Sequence, residues 1–535
     1  MTNKKERQLT LRGVLIGSLG SVIITTSSMF IALKLSSLPW PIIFVALFSM
    51  FSLKLLGNTN YGEINATHTA MSAGAMVAGG LAFTVPGIWI LYPDQTPNLL
   101  ELMAVSIGGT VLGLIFTAVL RHYFIDERDL EYPMGQAAAD TIVAGDEGGL
   151  KSVVLFISMG ISGLFAYIRD ILLIIPQIIT SKTMTAYGSS FGIYFSPMLI
   201  GVGYLLGPVL MGVWFLGSLI GDFGILFGGE NLLGWSVAQA SSVKSSLGIG
   251  LMVGSGIGVL LERIIAMIRG LKTKNASSIL SLESNKNKWL SIVAIICAIS
   301  FVFLLDFSLI TSIIVVFGTL LATTMSSECV GRTGINPMEI FGIIILLFTK
   351  ALCNVDGPEA FYVAAIVAVA AGLTGDVMND FKAGRILNSD PRAQWISEAI
   401  GGLIGAVVSV FTLFVIYKAY GAGAIGGPEF PAAQANAVAS MVGGISCLPA
   451  FIVGLVSAVV LYLIKFPVMT LGLGIYLPFY MSATAAIGGL IAFIVGRFKI
   501  KEKADVFGSV IASGLLGGEA IVGVIVSIVI AFNAI

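Results

Sequence analysis

The sequence predicts an all-α integral membrane protein of about fourteen to sixteen transmembrane helices, broken and half helices included, arranged as two related halves. Three observations predict it: a charge-poor composition, apolar runs of membrane-crossing length, and a short motif that recurs in the second half of the chain.

Of 535 residues, 56% are hydrophobic and 11% are charged, against roughly 25% charged in a soluble domain. A chain solvated by acyl tails satisfies its backbone internally and turns apolar side chains outward. The apolar runs are continuous over about 20 residues, the length that crosses ~30 Å of hydrocarbon, and lack the ten-residue alternation (roughly) of an outer-membrane barrel. Expected spans are 11–34, 39–56, 66–93, 99–120, 150–180, 192–228 (two elements broken near Pro208), 245–268, 288–305, 307–325, 335–352, 359–374, 395–420, 448–465, 468–496 and 507–533.

Formal net charge is zero, so nothing points to a nucleic-acid partner, whose phosphates need neutralising. Positive charge clusters at the head (Lys4, Lys5, Arg7, Arg12), at Arg269, Lys272, Lys274, Lys286 and Lys288, and at Arg497, Lys499, Lys501 and Lys503. By the positive-inside rule these face the cytoplasm, which makes the chain a multi-pass cell-membrane protein with a cytoplasmic N-terminus. Residues 271–287, rich in Ser, Asn and Lys, form the one linker-like segment and separate an N-terminal half, 1–270, from a C-terminal half, 288–535.

The halves echo one another. Glu131-Tyr132-Pro133-Met134-Gly135-Gln136-Ala137-Ala138-Ala139 recurs 298 residues later as Glu429-Phe430-Pro431-Ala432-Ala433-Gln434-Ala435-Asn436-Ala437. Gly192-Ile193-Tyr194 with Pro197 recurs after 282 residues as Gly474-Ile475-Tyr476 with Pro478. Internal duplication with helix breakers at matching places is the pattern of a transporter whose site lies between repeats, inverted or parallel.

Both Glu-aromatic-Pro segments read as half-helices. Proline suits a first helical turn, and the N–H groups behind it can hold an anionic group; a helix lying in the membrane interface is the competing explanation. Glu131, Gln136, Glu429, Gln434 and Asn436 are therefore candidate substrate contacts. Tyr194 and Tyr476 join them as aromatic walls with a hydroxyl, unless they are interfacial belt tyrosines.

Asp376, Asn379 and Asp380 share one helical face within Thr374–Arg385. Carboxylates at a membrane-helix end are costly unless they pair or line water, so they either bind an ion or substrate or pair with Lys382 and Arg385. Glu519, in Gly517-Gly518-Glu519-Ala520, is expected to be an intramembrane carboxylate without a neighbouring base, and it joins Asp376 and Asp380 as a candidate for proton or ion coupling. His68, in the small-residue stretch Asn58–Gly80, is either a proton carrier or a satisfied structural histidine. Asp306 and the Glu262-Arg263 pair read as helix-end and paired charges.

His68 and His122 are the only histidines, which argues against a multi-histidine metal site. Cys297, Cys329, Cys353 and Cys447 have no C-x-x-C spacing and read as small buried hydrophobes. No metal, no cofactor and no catalytic residue is expected. With no Walker lysine motif, G-x-S-x-G or H-E-x-x-H, the chain does not read as an enzyme.

In order along the chain, Gln8-Leu9-Thr10-Leu11-Arg12-Gly13, the stretch Asn65–Gly80, Glu131-Tyr132-Pro133 with Gln136-Ala137-Ala138-Ala139, and Ser196-Pro197 with Gly201-Val202-Gly203-Tyr204 stand in the first half. Thr374-Gly375-Asp376, Asp380-Phe381-Lys382-Ala383-Gly384, Pro391-Arg392, Gly474-Ile475-Tyr476-Leu477-Pro478 and Gly517-Gly518-Glu519-Ala520 follow. Taken together they resemble the oligopeptide transporter (OPT) family, in particular its prokaryotic branch, which is related to the yellow stripe-like metal-chelate transporters. The resemblance implies a proton-coupled importer of small peptides or peptide-like compounds, with metal chelates as the alternative cargo, working by alternating access around a central path. The sequence departs from the pattern at Ala75-Met76, where a polar or acidic pair is expected, and at His68, where valine or glutamine is more usual. The expected partners are the peptide-like solute, protons and membrane lipid, with self-association left open. From another class, a channel would fit the same composition.

Overall fold

The computed structural model describes residues 7–35, 38, 42–128, 130–146, 150–185, 188–270, 288–333, 336–353, 355–443, 445–497 and 501–533. The expected linker 271–287 lies outside the described residues, as do Lys4, Lys5 and Lys499.

In chain order the helices begin with α1 (Leu11–Leu35), α2 (Ile42–Leu55), α3 (Tyr61–Ala82), α4 (Gly87–Leu91), α5 (Leu99–Arg121) and α6 (Pro133–Asp146). They continue with α7 (Leu150–Asp170), α8 (Lys182–Thr185), α9 (Pro197–Leu219), α10 (Gly228–Leu233), α11 (Val237–Gly270) and α12 (Lys288–Leu304). Next come α13 (Leu309–Thr333), α14 (Met338–Leu352), α15 (Pro358–Ile386) and α16 (Pro391–Tyr420). The series closes with α17 (Ala433–Gly443), α18 (Leu448–Leu463), α19 (Val468–Tyr476), α20 (Phe479–Val495) and α21 (Lys501–Asn533). Among the described residues, eight helical stretches are long and apolar enough to cross a membrane, and five shorter apolar helices accompany them. The protein is all-α, as its composition demands. The one departure among the described residues is a short antiparallel pair, β1 (Ile178–Thr180) and β2 (Gly192–Tyr194), with Ile178 opposite Tyr194.

The chain divides into two compact units: 1–33, 40–152 and 268–425 form the first, and 34–39, 153–267 and 426–535 form the second. Each unit takes segments from both sides of 271–287, so neither unit coincides with a sequence half.

In the first unit α15 is the central element. Its apolar window is wholly buried, and α3, α5, α13 and α14 pack around it. Pro358 opens α15, where its missing N–H costs nothing. The helix then runs on to Ile386, so Asp376 and Asp380 lie inside a buried helix and not at the end of a span finishing near 374. The small residues of α3 let α16 come close, since Gly401 sits against the Ala70 carbonyl and Gly405 against Gly74.

In the second unit α9 packs on α19, α20 and α21. Ser196 caps α9, and Pro197 is its first residue. The break expected near Pro208 is present: Gly207, at φ 79°, turns the chain where proline interrupts the hydrogen-bond ladder. The span expected over 150–180 is shorter, because α7 stops at Asp170 and residues 178–180 pair as a strand.

The echoes keep their helix starts better than their local structure. Gly192-Ile193-Tyr194 is strand β2, whereas Gly474-Ile475-Tyr476 is the last turn of α19. Yet the following helices begin at Pro197 and Phe479, and 479 minus 197 preserves the offset of 282. In the first echo α6 starts at Pro133 and α17 at Ala433, and 433 minus 133 is 300 against 298 in sequence. Pro133 therefore opens its helix, while Pro431 stands two residues before α17. Each helix is entered through a left-handed residue, Tyr132 at φ 45° and Ala432 at φ 43°.

Candidate functional site

Two buried polar groups stand out, one in each unit. In the first unit, Asp376 and Asp380 lie one turn apart on α15, Glu398 on α16, and His68 and Ser72 one turn apart on α3. All five are at most 2% exposed. One carboxylate oxygen from each of Asp376, Asp380 and Glu398 falls within 4.8 Å of the others. Ser72 donates its hydroxyl to Asp380 Oδ2 at 2.8 Å, and His68 Nδ1 lies 3.6 Å from Asp380 Oδ1. Gln394 Nε2 donates to the Asp380 backbone carbonyl at 2.7 Å, which ties α16 to α15 beside the acids. The structure thus brings together three of the four residues chosen from the sequence for coupling, and adds Glu398. That residue was open to the reasoning that picked Glu519, since it too is a lone acid within an apolar run.

Glu519 has a different setting, in the second unit. Arg169 Nη1 reaches its Oε1 at 2.8 Å, the Ser196 hydroxyl donates to both oxygens, and the Met198 N–H donates to Oε2 at 2.8 Å. The expectation of a carboxylate without a neighbouring base is corrected. Glu519 is ion-paired across 350 positions of sequence and closes the N-terminus of α9.

Around Tyr194 the second unit gathers more charge. Lys34 Nζ lies 3.1 Å from Glu429 Oε1 and 5.3 Å from the Tyr194 ring centroid, and the Arg169 guanidinium lies 5.2 Å from the same ring. Such cations favour the negative face of an aromatic ring. Tyr194 is fixed by its backbone, with its N–H donating to Thr484 Oγ1 and its carbonyl accepting from that hydroxyl. Glu429 and Tyr194, both chosen from the sequence, are therefore neighbours of one ammonium group, that of Lys34. The sequence reading missed Lys34 because it ends an apolar run and resembles an ordinary helix-end lysine. Tyr476 is half-buried beside Gly248 of α11.

The half-helices differ in their surroundings. In the first unit Glu131 and Gln136 are exposed. The Tyr132 hydroxyl donates to the Ser327 carbonyl at 3.0 Å, and burial, with Glu328 nearby, holds that phenol well above its usual range, so it stays a donor. The Gly135 N–H, one of the amides reserved for an anion, donates to Asn379 Oδ1 at 3.1 Å. In the second unit Gln434 is 3% exposed and Asn436 is half-buried. Because the helix starts are shifted, Gln136 occupies the fourth position of α6 and Asn436 the fourth of α17, and each N–H bonds the carbonyl of its left-handed residue. The sequence had matched Gln136 with Gln434.

A membrane-embedded chain whose polar residues gather in buried groups on broken and intact helices has the make-up of a transporter. The family model described as OPT oligopeptide transporter protein matches residues 8–530. The chain belongs to the OPT family. It is accordingly a multi-pass membrane transporter and not an enzyme. Among OPT relatives, a protein of Haemophilus influenzae named as a candidate oligopeptide transporter is 26% identical, over 94% of this chain and 92% of its own. A probable metal-nicotianamine transporter of Oryza sativa subsp. japonica, YSL16, is 23% identical over 82% of this chain and 74% of its own. The metal-nicotianamine transporter YSL2 of Arabidopsis thaliana is 28% identical over 36% and 32%.

Proposed function

We propose that the protein imports small peptides or peptide-like compounds across the cell membrane by alternating access, with its N-terminus in the cytoplasm and an inward cation gradient as the driving force. Protons are the coupling ion that the OPT resemblance implies. The observation that carries the cargo reading is the ion pair Lys34–Glu429 beside Tyr194. A peptide is a zwitterion, and an ammonium and a carboxylate 3.1 Å apart offer both halves of its recognition. The solute carboxylate takes Lys34, its amine takes Glu429, and buried Lys34 exchanges one partner for another without being stranded, while Glu429 is half-buried. Glu131, Gln136, Gln434, Asn436 and Tyr476 remain proposed contacts on the duplicated motifs.

Uptake of a labelled dipeptide and of its C-terminal amide into proteoliposomes tests this. The free peptide is transported and the amide much less. Equal uptake of the two removes Lys34 from carboxylate recognition.

The metal-nicotianamine transporters among the relatives favour a second cargo, a metal chelate. A chelate rich in carboxylates would use the same lysine. Uptake of labelled iron with and without a chelator separates the two, and saturation by solute separates either from a channel.

A further inference from the structure

The acidic group of the first unit has a property that no peptide contact explains. Neither nitrogen of His68 has a hydrogen-bond partner, and the polar neighbours of Asp376 and Glu398 are one another, Asp380 and the Ser72 hydroxyl, which donates to Asp380. All three side chains are at most 1% exposed. Buried polar atoms are satisfied as a rule, and buried charges are paired or hold a cation. Here three carboxylates and one imidazole from three helices converge, and among the described residues the close cationic neighbour of this group is His68, beside Asp380.

The geometry points to a divalent-cation site formed by Asp376, Asp380 and Glu398, with His68 and the Ser72 hydroxyl beside it. Ligand atoms within 4.8 Å of one another fit around a single ion, because oxygens on opposite sides of a hard divalent cation stand about 4.2–5 Å apart. The donors are hard oxygens, which suit Mg²⁺, Mn²⁺ or Ca²⁺ better than soft thiophilic ions. Charge points the same way. With all three acids ionised around a bound ion, a monovalent ion leaves two of the negative charges uncompensated in a dry interior, and a divalent ion leaves one. The spacing of donors also explains the sequence: Asp376 and Asp380 one turn apart face one side of α15, and Glu398 completes the set from α16. This narrows the ion-handling role foreseen for Asp376 and Asp380 to a metal cation, and it stands apart from the cargo reading.

Full-length protein in detergent, titrated with Mn²⁺ and read by electron paramagnetic resonance of the free ion, tests the site. One saturable Mn²⁺ per chain is expected, displaced by Mg²⁺ or Ca²⁺. Glu398→Gln and Asp376→Asn each weaken binding by about tenfold or more, while the surface variant Glu127→Gln leaves it unchanged. Mn²⁺ also raises the thermal midpoint of the wild type and not of Glu398→Gln. Absence of saturable binding to monodisperse, helical wild-type protein overturns the assignment, as does binding that both acidic-site variants leave intact. Neither result depends on whether any peptide is transported.

Discussion

Asn379 Oδ1 accepts the backbone N–H of Gly135 at 3.1 Å, and its Nδ2 donates to the Gly375 carbonyl at 3.0 Å. One side chain on the central helix of the first unit thereby holds the start of the half-helix α6. Asn379 is fully buried, and Gly135 lies against the Asn379 backbone so closely that a Cβ there would collide with its carbonyl.

Asn379→Leu should therefore lower stability by about 1–3 kcal/mol, the cost of leaving a buried amide unpaired. Thermal unfolding in detergent reads this as a lower midpoint. A midpoint equal to that of the wild type shows that α6 does not depend on the bond.

Arg169 and Glu519, each 2% exposed at the side chain, form a buried pair. Glu519→Leu leaves the guanidinium to Asp170 and the Phe195 carbonyl and unpairs the Ser196 hydroxyl and the Met198 N–H, and should cost about 1–3 kcal/mol. The double change Arg169→Met with Glu519→Leu should recover part of that loss. A double variant no more stable than Glu519→Leu contradicts the pairing as the source of the cost.

Gly401 and Gly402 are neighbours on α16 with opposite tolerance. A Cβ at Gly401 runs into the Ala70 carbonyl of α3, whereas at Gly402 it meets the Thr110 methyl at 3.3 Å. Gly401→Ala should destabilise by about 1–3 kcal/mol through overpacking, and Gly402→Ala by less. Comparison of their unfolding midpoints decides it, and the reverse order refutes the close α3–α16 crossing.

Lys34→Met removes the ammonium that faces Glu429 and Tyr194. Peptide uptake should fall about tenfold or more, by analogy with the loss of a charge-assisted hydrogen bond worth about 1.5–3 kcal/mol. The folded fraction, read by gel filtration, should remain measurable. Unchanged initial rates in Lys34→Met would leave the lysine a structural role only.

Much of the fold was legible because a bilayer reduces the choice to helices. Long apolar runs gave α1, α5 and α16, and Gly207-Pro208 announced the break in α9, whereas the expected span 468–496 is divided at Pro478 into α19 and α20. The strand pair β1–β2 was hidden, since a short apolar run such as Ile178–Ile179 has no period to tell a strand from a helix end. The passage of α15 through Asp376 and Asp380 was also hidden, because burial against α3, α5, α13 and α14 overrides polarity that alone suggests a helix terminus. Site residues were legible where local pattern sufficed, as for Asp376 with Asp380. Contacts across hundreds of residues were not: Lys34 reaches Glu429 over 395 positions and Arg169 reaches Glu519 over 350. The shifted start of α17 lay beyond reach as well, because it depends on Ala432 taking a left-handed conformation that alanine seldom adopts.

The most direct test of the transport reading is the initial rate of labelled di- to hexapeptide uptake into proteoliposomes, measured against solute concentration under an inward proton gradient. The account predicts rates that saturate with peptide and collapse when the gradient is dissipated. Rates that rise linearly without saturation, or no uptake of any peptide, contradict it.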